Sequence, residues 1–244
     1  MIITKKNPNP FEYHSNGKVA VLLIHGFTGS PTEMAPLGEF LYKKGYSAYC
    51  PLLAGHGTTE EDMEKTGWKD WVASAEEGLR KLQGKYSKVF VVGFSMGGCI
   101  ALYLAMKYKI EGIITISAPI FLTEKKAYLT PILKYFQKYK PKTRKPDYGV
   151  PIFSYDKTPI KCVSSLLKLI FIVKYNLKKV KVPTLIIQGE DDRVVEPKSA
   201  RYIFEKINPP YKEIKYFPKR SHMIPVEQGR EEVMEKVLEF LQRI

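Results

Sequence analysis

The stretch VFVVGFSMGGCIALYLAMKY, Val89 to Tyr108, decides the fold. Its first half is a run of β-favouring apolar residues and its second half reads as a helix. Between them one small polar residue, Ser95, stands with Gly93 and Gly97 on either side. A serine on so sharp a strand-to-helix turn is forced into strained backbone angles, and side chains at the flanking positions would collide with neighbouring elements, so glycines belong there. The turn lifts Oγ above the sheet edge. It also sets the hydroxyl at a helix N-terminus, where unpaired N–H groups and a partial positive charge favour any oxyanion that develops.

Outward from this turn, short β-rich runs alternate with longer helical ones. VAVLLI is followed by PLGEFLYKKG, SAYCP by WKDWVASAEEGLRKLQ, and KVFVVG by the helix after Ser95. This order is the mark of βαβ units. The strands are nearly continuous in apolar residues, as a parallel sheet covered on both faces requires. GIITIS (Gly112–Ser117), PTLIIQG (Pro183–Gly189) and YKEIKYFP (Tyr211–Pro218) supply three more strands. In EEVMEKVLEFLQRI, Val233, Met234, Val237, Leu238 and Leu241 recur at helical spacing, which predicts an amphipathic closing helix. The fold class is therefore α/β, with a mostly parallel central sheet and helices on both faces.

The alternation breaks once. More than sixty residues separate Ser117 from Thr184, far more than a strand-to-helix connection needs. The division that follows is a core of residues 1–118 and 181–244 with an insertion over 119–180. Residues 120–180 carry fourteen Lys or Arg against three Asp or Glu, so most of the chain's net charge of +14 belongs to the insertion.

A length of 244 residues suits one large domain carrying an insertion. Cys50, Cys99 and Cys162 are far apart and form no C-x-x-C pair, which argues against a zinc site or a disulfide framework and for a reducing, cytoplasmic setting. The first residues, MIITKKNPNPFEYH, hold no apolar signal region. Apolar runs such as Val19–Ile24 and Leu169–Val173 are too short to cross a bilayer.

A serine hydroxyl is a weak nucleophile near neutral pH and needs a base, and the base needs an orienting group. By itself the G-x-S-x-G of Gly93–Gly97 occurs often by chance and reads more readily as a helix-capping serine whose glycines permit close packing. Further along, PTLIIQGEDDRVVEP ends a strand and leaves Asp191 and Asp192 in the loop, and YFPKRSHMIP puts His222 between the last strand and the closing helix. Loops after parallel strands gather at one edge of the sheet, where Ser95 also emerges. The chain order Ser, Asp, His is one used on sheets of this kind.

With VLLIHGFTGSP, the GHG of Gly55–Gly57, the serine turn and GEDDRVV, the chain resembles the α/β-hydrolase family, and more closely its small bacterial and archaeal carboxylesterases and monoacylglycerol lipases. The resemblance spans nearly the whole chain, the insertion matching in position and size only. It implies that Ser95, Asp192 and His222 are the catalytic residues. The family's acid falls at G-x-x-D-x-x-V, here Gly189, Asp192 and Val195, which leaves Asp191 as a loop-turn residue. It also implies that HGFTG, His25–Gly29, is an oxyanion-hole loop, the backbone N–H groups of Phe27 and Met96 being the donors. His25 then supports that loop, His56 a glycine-flanked turn, and His14 lies on the surface.

No histidine pair has metal-ligand spacing and no G-x-G-x-x-G follows a strand, so the expected chemistry needs no metal and no cofactor. A serine in the turn excludes relatives that form their intermediates on an aspartate. What remains is hydrolysis of a small-molecule acyl ester or monoacylglycerol of short to medium chain, with acyl thioesters and a non-catalytic basic binding protein as alternatives. VSSLLKLIFIVKYNL spreads apolar residues around much of a helix, fit either to line an acyl pocket or only to pack. The insertion's lysines suit weak contact with an anionic membrane or micelle surface, or a solvated face. With Tyr135, Tyr139 and Tyr148 interleaved they also raise nucleic acid, a use that leaves Ser95, Asp192 and His222 without purpose. The expectation is no nucleic-acid partner, and a monomer or homodimer.

Overall fold

The computed structural model describes residues 8–142, 148, 150 and 152–244. In chain order, its elements are strands β1 (Phe11–Tyr13) and β2 (Val19–Ile24), helix α1 (Ala35–Lys43), strand β3 (Ser47–Cys50), helices α2 (Glu60–Glu64) and α3 (Trp68–Gln83), strand β4 (Lys88–Phe94), helix α4 (Met96–Ala105) and strand β5 (Gly112–Ile116). Next come helix α5 (Thr130–Leu133), strands β6 (Tyr139–Pro141) and β7 (Lys157–Pro159), and helix α6 (Ile160–Asn176). Strand β8 (Thr184–Gly189), helix α7 (Lys198–Lys206), strand β9 (Lys212–Phe217) and helix α8 (Arg230–Arg243) close the chain.

Seven strands form one sheet in the order β1-β3-β2-β4-β5-β8-β9. Every neighbouring pair is parallel except β1 with β3. The sequence reading did not assign β1: three residues at a sheet edge carry too short a pattern to distinguish them from a loop.

Period-two alternation splits each central strand between two cores. Ala20, Leu22 and Ile24 of β2 face a core shared with α3, α4, α6 and α7, whereas Val21 and Leu23 face one built with α1 and α8. Both faces are covered, which is why the strands read as unbroken apolar runs. Helix α4 is buried along nine of its ten residues, so it too is apolar on every side.

Strand order fixes the place of chemistry. The chain moves from β2 outward to β3 and then crosses to β4 on the other flank of β2, and crevices open at the carboxyl ends of strands where the direction of winding reverses. Ile24, the last residue of β2, pairs with Gly93 of β4, so the loop from His25 and the turn at Ser95 emerge side by side.

Residues between β5 and β8 form the antiparallel hairpin β6–β7, the short α5 and the long α6. They lean on loops that follow β2 and β3. Phe153 N–H donates to Thr32 Oγ1 at 3.1 Å, Tyr155 Oη to the Gly55 carbonyl at 2.7 Å, and Trp68 N–H to Ser165 Oγ at 2.8 Å. The buried stripe of α6, including Cys162, Leu166, Leu169 and Val173, joins the core over α4.

Candidate active site

Ser95 joins β4 to α4 with φ 52° and ψ −118°, a conformation that costs a non-glycine residue about 1–3 kcal/mol and persists only where the surroundings impose it. They do so through hydrogen bonds and contact. Ser95 N–H donates to the Ile116 carbonyl of β5 at 2.8 Å, and the Ser95 carbonyl receives Gly98 N–H at 2.8 Å to open the helix. A Cβ on Gly93 would stand 2.0 Å from the Gly97 carbonyl oxygen, and one on Gly97 would stand 2.2 Å from that of Ile24. The backbones approach too closely for any side chain at either position.

The residues expected to work together meet. His222 Nε2 lies 3.0 Å from Ser95 Oγ, and His222 Nδ1 lies 2.8 Å from Asp192 Oδ2. With Nδ1 donating to the carboxylate, Nε2 is left as the acceptor of the serine proton. Asp192 has a fully covered side chain. Burial by itself would raise its pKa, but the hydrogen bond from His222, the positive charge that imidazole carries when protonated and the N–H groups of Val195 and Val194 outweigh it and hold the carboxyl below its ordinary range. Those two N–H groups reach Oδ1 at 2.9 and 2.8 Å, and Gln188 Nε2 donates to Oδ2 at 3.0 Å. Asp191, by contrast, is exposed in the turn.

The histidine loop is pinned as well. Ser221 Oγ donates to Glu227 Oε2 at 2.6 Å, Met223 N–H donates to Ser221 Oγ at 3.2 Å, and the Phe94 ring lies 5.2 Å from the imidazole. Neither Gln188 nor Glu227 was singled out in the sequence. Gln188 left a signal, a polar residue closing an otherwise apolar strand just before the acid loop; Glu227 left none.

The HGFTG loop runs beside the serine turn. Among the described residues, no backbone acceptor pairs with Phe27 N–H or with Met96 N–H at the start of α4. His25 is fully buried; Leu53 N–H donates to its Nε2 at 3.1 Å, so Nδ1 carries the proton and donates to the Gly26 carbonyl at 2.9 Å. Burial, then the neighbouring His56, push its pKa well below the ordinary histidine value, so it stays neutral as a strut between two loops. His56, whose pKa burial pulls down to about 4, stacks edge-on against Trp71. His14 is exposed, its ring nitrogens 3.1 Å from Tyr86 Oη and 3.4 Å from Glu12 Oε1.

Two further residues grip this loop. Glu33 is buried and its Oε2 accepts from Gly26 N–H at 2.9 Å. Burial drives its pKa up to about 7 against the opposing effects of that N–H and of Lys142. From the segment between β5 and β8, Lys142 Nζ donates to Thr28 Oγ1 at 2.8 Å.

On the outward side of α6 an apolar groove of about 420 Å³ is lined by Trp68, Pro131, Leu167, Phe171 and Ile172, with Ser164 and Lys168. Ser95 and His222 are not among its lining residues. Among the described residues no cluster of three or more His, Cys, Asp or Glu is arranged to hold a metal ion, and no helix is long and apolar enough to cross a membrane.

Residues 21–236 match the family described as alpha/beta hydrolase. A relative named thermostable monoacylglycerol lipase, from Bacillus sp. (strain H-257), is 39% identical over 95% of this chain and 93% of its own length. A carboxylesterase from Bacillus subtilis (strain 168) is 30% identical over 97% of each. Among solved structures, one described with the metagenome-derived lipolytic enzymes LipS and LipT superposes with a TM-score of 0.92 at 28% identity, covering 98% of this chain and 99% of that one.

Proposed function

The chain belongs to the alpha/beta hydrolase family and is a serine hydrolase of carboxylic esters, and from that premise we propose that Ser95 is its nucleophile, His222 its general base and acid, and Asp192 the group that orients the histidine. The unbroken relay of 3.0 Å from Ser95 Oγ to His222 Nε2 and 2.8 Å from Nδ1 to Asp192 carries this reading. As Oγ attacks the ester carbonyl, its proton passes to Nε2, and the Asp192 carboxylate stabilises the imidazolium. Phe27 and Met96 N–H groups receive the negative charge that leaves the carbonyl π bond for oxygen. Collapse of the tetrahedral species expels the alcohol, which takes the proton from His222. A water deprotonated by the same histidine then cleaves the acyl-enzyme, so two moderate barriers replace one high one.

We read residues 119–180 as a cap over the site, on the strength of their contacts with the loops after β2 and β3. The substrate class we favour is a short- to medium-chain acyl ester or monoacylglycerol, after the relative at 39% identity. Hydrolysis of 4-nitrophenyl esters of rising chain length, run beside monoacylglycerols and acyl thioesters, tests this. A thioester outrunning the matched oxygen ester would change the class. Loss of turnover in Ser95→Ala tests the nucleophile.

The cap's outer face supports contact with an anionic lipid or micelle surface. Ile132, Tyr135, Phe136, Phe171 and Tyr175 are all exposed, Phe136 at 84%, among the lysines Lys134, Lys168 and Lys174. Nucleic acid is a poorer fit, since the lysines around Tyr139 are paired: Lys138 with Glu64, Lys140 with Glu124 and Lys157 with Glu61. The three free thiols support a reducing, cytoplasmic location.

A further inference from the structure

The loop that presents Phe27 N–H is held from both sides by groups that do not touch the reacting atoms. From within the core, Glu33 receives Gly26 N–H, the residue before Phe27. From the cap, the Lys142 ammonium donates to the hydroxyl of Thr28, the residue after it, at 2.8 Å, and to Ser154 Oγ at 2.9 Å. Thr28 is buried and has φ 61°, a left-handed backbone that a β-branched residue rarely adopts unless its surroundings impose it. Its hydroxyl meets a cation, and a charge-assisted hydrogen bond is among the stronger constraints a buried side chain can receive. A second tie runs in parallel: Phe153 N–H of the cap donates to Thr32 Oγ1, which in turn lies 2.8 Å from Ser30 Oγ.

We propose that Lys142 is a positioning residue that sets the oxyanion-hole loop from the cap, by holding Thr28 in its left-handed conformation and so fixing the direction of the Phe27 N–H. The inference rests on the reading of Phe27 as an oxyanion donor. An N–H group flanked by two anchored residues points where its neighbours make it point. With Lys142 seated, the peptide between Gly26 and Phe27 is fixed before substrate arrives; without it, Thr28 is released toward ordinary backbone angles and the donor swings off the oxyanion. The bond is then missed in the transition state and not in the ground state, so kcat falls while KM holds.

The test compares Lys142→Met, Lys142→Arg, Thr28→Val and the double variant on a soluble short-chain 4-nitrophenyl ester, together with binding of an alkyl trifluoromethyl ketone. That ketone forms a tetrahedral adduct with the serine and places its oxyanion in the hole. Thr28→Val keeps the β-branched shape and deletes only the acceptor, so it tests the same bond should Lys142→Met fail to fold. The expected result is a loss of kcat of roughly ten-fold in either single variant, a fraction of what deleting an oxyanion donor costs. KM stays within about two-fold, and ketone affinity weakens by the same factor as kcat. The double variant is no worse than the poorer single one, and Lys142→Arg recovers part of the loss. Wild-type kcat and ketone affinity in Lys142→Met or Thr28→Val would overturn the proposal, as would losses that multiply in the double variant. A wild-type enzyme that the ketone does not inhibit would instead refute the reading of the site itself.

Discussion

Replacing Glu33 with glutamine removes a buried carboxyl that titrates and leaves an amide oxygen able to accept the same Gly26 N–H. The space is confined: a Cβ on Gly29 would stand 2.1 Å from Glu33 Oε1, and the carboxyl faces the Cys50 thiol, Tyr148 and Lys142. Burial lifts its pKa from 4.5 to about 7. Below about pH 4.5 the group is protonated in folded and unfolded chains alike and makes no difference between them. As pH rises, the unfolded chain releases the proton first while the folded chain keeps it until about pH 7, so folding becomes progressively less favourable over that window. A gap of about 2.5 pH corresponds to about 3 kcal/mol, fully expressed above neutrality. Glu33→Gln has no such penalty. Urea unfolding at intervals from about pH 4 to 8 should therefore show the variant gaining on the wild type by about 3 kcal/mol between the two ends, whatever their offset at low pH. Parallel curves would refute the reasoning and show that Glu33 is ionised as easily in the fold as out of it.

Three further outcomes are expected. Asp192→Asn should lower kcat by about four orders of magnitude with the fold intact, because an amide can donate to Nδ1 and favour the wrong tautomer of His222; steady-state kinetics with circular dichroism measure both. Gly97→Ala should fail to yield active folded protein, since its methyl would meet backbone, the Ile24 carbonyl oxygen at 2.2 Å, and not a movable side chain. Phe136→Ser with Phe171→Ser should weaken sedimentation with anionic vesicles without altering turnover of a soluble short ester, and unchanged vesicle binding would remove the lipid-facing role proposed for residues 119–180.

The serine turn and the strands were legible because each depends on local pattern. Glycines at 93 and 97 answer to backbone contacts within one strand-turn-helix unit, and continuous apolar runs such as Val19–Ile24 report burial on both faces. Loops after parallel strands gather at one edge, which nominated His222 and the pair Asp191 and Asp192, and the family resemblance chose Asp192 of the two. Glu33 and Lys142 could not be nominated. One is a single acid after a glycine-rich loop and the other one of fourteen basic residues in a lysine-rich segment, and what sets each apart is which group it meets after folding. The hairpin β6–β7 and the edge strand β1 were missed for a related reason: three residues are too few to show alternation, and tertiary contacts decide their shape.

The central claim is that His222 activates Ser95. Its most direct measurement is reaction of the intact enzyme with a small fluorophosphonate, followed by peptide mass mapping and by the rate of labelling in His222→Ala. The account predicts a single adduct on Ser95, formed rapidly in the wild type and at least about a hundred-fold more slowly without the imidazole. An adduct on any other residue, or equal labelling of Ser95 with and without His222, would contradict it.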